Sequence, residues 1–71
     1  MKNPVFNFMK KIKFVGYDQF YREVFVTEKG SYVVNLGDHA NMRLYAKSNN
    51  DFEGEPDFPV KTENFQVVEE F

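Results

Sequence analysis

Apolar and polar residues alternate along much of this chain with a period of two, the pattern of half-buried β-strands. Residues 20–27 and 31–36 show it most clearly, both rich in β-branched and aromatic side chains. Glu28-Lys29-Gly30 lies between them and reads as a short hairpin loop, with Gly30 free to take a positive φ. Setting Val26 opposite Tyr32 places Val24 opposite Val34 and Arg22 opposite Leu36. One face then holds Val24, Val26, Tyr32, Val34 and Leu36 and is expected to meet the core. The other holds Tyr21, Glu23, Phe25, Thr27, Ser31, Val33 and Asn35. Phe25 and Val33 on that mixed face imply that something partly covers it.

Gly37-Asp38-His39-Ala40-Asn41 has turn composition. Residues 42–47 then alternate again, Met42, Leu44 and Ala46 against Arg43, Tyr45 and Lys47, and predict a third strand. Residues 48–59 contain two prolines, a glycine and an asparagine pair, and read as one long acidic loop pinned by Phe52 and Phe58. Residues 64–70 predict a closing strand, and residues 10–17 a first strand. Asn3-Pro4 resembles a helix cap followed by a first-turn proline. Residues 1–9 are therefore read as a flexible or helical lead-in. The expected architecture is one small, mainly β domain over residues 10–71. It is an antiparallel meander of four to five strands, either open or closed into a small barrel.

Length and composition narrow the function classes. A chain of 71 residues is about half a usual domain and buries only about 60% of the surface its unfolded form exposes. It has no cysteine, which excludes a disulfide scaffold and a thiolate zinc finger. Nine Phe and four Tyr within 42% hydrophobic residues exclude a disordered chain. No apolar run approaches the roughly 18 residues of a membrane helix, and no signal-peptide pattern is present. A cytoplasmic protein that does not engage membranes is expected.

The net charge is −2, but it is unevenly spread. Residues 1–17 carry four lysines and no acid, residues 18–47 balance, and residues 48–71 sum to −6. Charge runs are commonly solvated faces. Such a run can also be an acidic surface offered to a basic partner.

Catalytic and metal chemistry find little support. His39 is the sole histidine, and nothing in the pattern brings a serine to it. Asp51, Glu53, Glu55 and Asp57 surround Gly54 like a calcium loop. Aligning Gly54 with the loop glycine of an EF-hand puts Val60 where the bidentate Glu must stand, and Pro56 inside the loop. No enzyme activity, cofactor or metal is expected.

Two binding readings remain. The first is a non-enzymatic protein-binding module, of inhibitor or adaptor type, contacting its partner through Asp51, Phe52, Glu53, Glu55, Asp57, Phe58 and the C-terminal strand. The rings would supply buried area and the acids would select a basic protein, including one that handles nucleic acid. The second is single-stranded nucleic-acid binding by a sheet face of Tyr21, Phe25, Arg43, Tyr45 and Lys47, which would stack bases and track phosphates. Its few basic residues and the negative net charge make it the weaker reading. Homodimerisation that buries Phe25 and Val33 is compatible with either.

Overall fold

A computed structural model of the chain describes residues 9–71. The lead-in expected over residues 1–9 falls outside the described residues except at Met9. Six strands form one sheet: β1 (Lys10–Tyr17), β2 (Glu23–Thr27), β3 (Tyr32–Asn35), β4 (Leu44–Lys47), β5 (Pro56–Pro59) and β6 (Phe65–Val68). Their spatial order is β5-β4-β3-β2-β1-β6. The sheet is open, with β5 and β6 as its two edges. The chain is mainly β, as the alternation predicts.

β1 through β5 form an antiparallel meander. The β2–β3 register is the one the alternation predicts, with Val24 opposite Val34 and Val26 opposite Tyr32. Gly30 turns the hairpin at φ +87°, and Thr27 caps the turn by accepting from the amides of Lys29 and Ser31 through its hydroxyl. β1 carries a bulge between Phe14 and Gly16. Gly16 adopts φ +144°, and a Cβ there would lie 3.4 Å from the Phe52 ring. A side chain at position 16 would therefore strain the backbone and press on the loop above it.

Three expectations are corrected. Residues 56–59 are not loop but the edge strand β5. An edge tolerates Pro56 and Pro59 because a proline there need only lack an N–H that would face outward. The described residues form six strands rather than four to five. The sheet is also not purely antiparallel, since β6 pairs with β1 in parallel. A parallel neighbour needs a crossover, and residues 60–64 supply it with a single 3₁₀ turn, Thr62–Asn64. The crossover is tied down on the way, with the Val60 amide donating to the Leu44 carbonyl and the Leu44 amide to the Thr62 hydroxyl.

The crossover decides where the main core lies. Ile12, Phe25, Val33 and Leu44 cluster on the face expected to be mixed, and Met42, Ala46, Val60 and Phe65 pack on them. Phe25 and Val33 are each 3% exposed within a single chain, so no second copy is needed to bury them. The opposite face is buried as well. Val24 and Val34 are fully inaccessible because the 48–55 loop folds across them. Phe52 lies edge-on to Tyr32 at 5.7 Å, and Asn50 binds the hairpin through the Tyr32 amide and the Gly30 carbonyl. The sheet is thus a single layer covered on each side by connecting segments. Among the described residues, no helix is long and apolar enough to cross a membrane.

Candidate docking surface

The end of the sheet opposite the β2–β3 hairpin is built by two loops, each organised by one buried polar side chain. Residues 18–22 join β1 to β2. Asp18 is 4% exposed, and its Oδ1 accepts from the amides of Phe20 and Arg22 at 2.9 and 3.0 Å. Its Oδ2 accepts from Arg22 Nε at 2.9 Å. Burial pushes the Asp18 carboxyl up, but the Arg22 and Phe20 hydrogen bonds outweigh it and hold the pKa below the ordinary value. Two backbone bonds, from the Asp18 amide to the Arg22 carbonyl and from the Tyr21 amide to the Asp18 carbonyl, close the turn.

Inside this frame Tyr21 adopts φ +62°, a conformation that costs a non-glycine residue on the order of 1 kcal/mol or more. The result is outward display. Phe20 is 64% and Tyr21 87% exposed, and the Arg22 guanidinium lies 4.8 Å from the Phe20 ring centroid.

Residues 36–43 form the second loop, organised by Asn35, which is 3% exposed. Its amide nitrogen donates to Glu23 Oε1 and to the Asp38 carbonyl. Its Oδ1 accepts from the amides of Gly37 and Arg43. Glu23 also meets His39, with Nδ1 2.9 Å from Oε2. The Asn35 hydrogen bond first, and then His39, lower the Glu23 pKa against the opposing effect of burial. A cleft of about 310 Å³ separates the loops, lined by Tyr17, Tyr21, Arg22, Gly37 and His39 among others. It continues through Tyr17, Glu23 and His39 into an apolar groove of about 710 Å³ over Phe14, Phe25, Met42 and Val67. The Phe14 ring meets Tyr17 and Phe25 edge-on at 5.2 and 5.9 Å.

No family model, no curated protein and no solved structure matches this chain.

The residues expected to contact a partner are divided. Asp51, Glu53, Glu55, Asp57 and Phe58 are exposed, Phe58 at 59%. Phe52 is half-buried and points inward onto Tyr32 and Gly16, so it anchors the loop. Asp57 is occupied locally, its Oδ1 accepting from the Ser48 amide and hydroxyl, and these bonds lower its pKa. Glu53 reaches the aromatic loop, accepting from the Gln19 amide at 3.0 Å. That contact brings the acidic segment beside Phe20 and Tyr21.

The five residues of the alternative nucleic-acid face do not come together. Tyr45 pairs with Val34 and shares its side with Lys47, whereas Phe25 pairs with Val33 on the opposite side. Tyr21 lies in the loop and outside the strands. Arg43 is exposed but lies before β4. Lys47 is 7% exposed and is engaged from within. Its Nζ donates to the carbonyls of Asp51 and Phe52 and lies near the Tyr32 and Phe52 rings. Desolvation lowers its pKa despite the surrounding acids.

Lys47 is the inner tie of the acidic loop. Lys47→Ala leaves two carbonyls without their donor, a loss on the order of 1–3 kcal/mol. Amide exchange over residues 49–54 should then speed up by ten-fold or more, with strands β1 to β3 unchanged. Unaltered exchange there would mean that Phe52, with the Asn50 and Glu53 hydrogen bonds, holds the loop without Lys47.

Sequence reasoning missed Asp18, Asn35, Tyr17 and Phe20, and it placed Tyr21 on a sheet face rather than in the exposed loop. A signal for the first was present. Asp followed by a glutamine, two aromatics and an arginine between strands is a side-chain-capped turn.

Among the described residues, no group of three or more His, Cys, Asp or Glu side chains is placed to hold a metal ion. His39 meets a carboxylate, while Ser48 is bonded to Asp57.

Proposed function

We propose that this chain is a small non-enzymatic protein-binding module, of inhibitor or adaptor type, that docks on a basic protein surface through residues 17–22 and the acids beside them. One observation supports this above the others: Phe20 and Tyr21 stand outward on a loop whose conformation is fixed by buried Asp18. Exposed aromatics usually lose much side-chain freedom on binding. Here the backbone is already set, which lowers the ordering cost. Tyr and Arg are the residue types that concentrate binding energy at interfaces. Asp51, Glu53 and Glu55 beside the loop would raise the association rate toward a basic partner and make it salt-sensitive.

The test is a pull-down from source-cell lysate, with and without nuclease treatment, at low salt and at about 0.5 M salt, where exposed charges are screened. The bait is the native chain or the Phe20→Ala/Tyr21→Ala variant. Both side chains are mostly solvent-facing, so the variant should keep its Tm within a few degrees. It should lose at least ten-fold in affinity for a discrete, salt-sensitive protein partner, as truncating two interface anchors does. Equal retention by the variant would remove the aromatic loop from the interface. Recovery of nuclease-sensitive material alone would return the question to nucleic acid.

A further inference from the structure

The two edges of the sheet are treated differently. In β5, two of four residues are proline, and proline offers no N–H for pairing. β6 has no such guard. Phe65-Gln66-Val67-Val68 contains no proline, lysine or bulge. Its inner side pairs with β1 from Lys10–Phe65 to Lys13–Val68. Apart from the Phe65 amide, which donates to the Thr62 carbonyl, no backbone hydrogen bond among the described residues joins β6 to anything but β1. Gln66 and Val67 are exposed, Val67 at 48%. Such an edge is a template for another strand.

The flanking charges indicate what would pair there. Glu63 precedes β6, and Glu69 and Glu70 follow it. All three are exposed, and none is in an ion pair among the described residues. The nearby lysines of β1 are turned to rings, Lys10 to Phe65 and Lys13 to Phe71. These charges disfavour a second copy of this chain. Antiparallel self-pairing centred on Gln66 and Val67 would set Glu63 opposite Glu70 twice over, and like charges directly opposite destabilise a ladder.

We propose that the outer edge of β6 takes up an extended segment of a partner protein bearing lysine or arginine, as a seventh strand flanked by Glu63, Glu69 and Glu70. The backbone supplies the pairing and the glutamates select the sign of charge. This surface is separate from the aromatic loop.

The probe is a capped octapeptide of alternating arginine and valine, with the glutamate–valine octapeptide as counterpart. Each is titrated into the full chain by calorimetry, and amide exchange is followed residue by residue. The basic peptide should bind and slow exchange over residues 65–68 by ten-fold or more, and the acidic one should not bind. Glu69→Lys/Glu70→Lys, at two exposed positions, should weaken the basic peptide at least ten-fold and admit the acidic one. Phe20→Ala/Tyr21→Ala should change neither result, so this inference and the proposed function fail separately. The proposal is overturned by three outcomes: no binding of the basic peptide, protection over residues 51–57 without protection over 65–68, or a peptide-free dimer that already protects β6.

Discussion

Val34→Asp is expected to leave the chain unfolded at 25 °C. Val34 is completely inaccessible, paired with Val24 on one side and Tyr45 on the other. The 48–55 loop closes over it, so a carboxylate there would be buried, and the cation that shares this side, Lys47, is already engaged by the Asp51 and Phe52 carbonyls. Burying an unpaired charge costs several kcal/mol even after relaxation. A native domain has on the order of 5–15 kcal/mol in total, and small cores lie at the low end. Circular dichroism and amide exchange would read the loss directly. A cooperative melt close to that of the native chain would mean that the loop does not seal this face. Val33→Asp, at 3% exposure in the opposite cluster, should unfold the chain as well. The pair of variants separates a sheet buried on both faces from one buried on a single face.

Asp18→Ala is expected to disorder the aromatic loop at a cost of about 2–4 kcal/mol. It removes an acceptor shared by two backbone amides and Arg22 Nε, and each stranded buried donor costs about 1–3 kcal/mol. The positive φ of Tyr21 then loses what holds it. The same carboxylate gives a pH signature. Its folded pKa lies below the ordinary value of 3.8, so the folded state binds this proton more weakly than the unfolded chain does. Its contribution is therefore complete above the unfolded value and is lost as pH falls through the folded one. The native chain should lose stability below about pH 4 more steeply than Asp18→Ala does, once the Glu23 and Asp57 contributions common to both are subtracted. Parallel acid-denaturation curves would deny Asp18 this role. Chemical shifts of Phe20 and Tyr21 should collapse toward random-coil values in the variant.

The strands were legible in the sequence because alternation and β-branched residues report locally. The β2–β3 register could be read from Gly30 and the Val24/Val34 and Val26/Tyr32 pairs. The expected third pair, Arg22 with Leu36, does not form because Asp18 holds Arg22 in the preceding turn. The choice of core face could not be read. Val33 and Val34 are both buried, as are Val24 and Phe25, and alternation carries no orientation when both faces are covered. What covers them is set by distant connections, the crossover at residues 60–64 and the loop at 48–55, whose composition reads as solvent-facing. β5 escaped notice for a related reason, because prolines that weaken a central strand are tolerated at an edge. In the candidate site, Asp51, Glu53 and Glu55 were read from charge alone. Phe52 was equivocal, since one ring serves as anchor or contact according to which way the loop turns. Asp18 and Asn35 act on backbone amides, and such contacts leave no periodic trace.

The parallel pairing of β1 with β6 has a kinetic consequence. Ile12 lies beside Val67 across nearly the whole described chain, so this pairing closes the longest loop between paired strands among the described residues. Loop closure of that span is entropically late, and topologies rich in distant contacts fold slowly. The hairpins from β1 to β5 need no such closure and can form first. Until β6 arrives, one flank of Ile12, a fully buried residue, is open. Up to that step β1, and not β6, is the bare edge of the sheet.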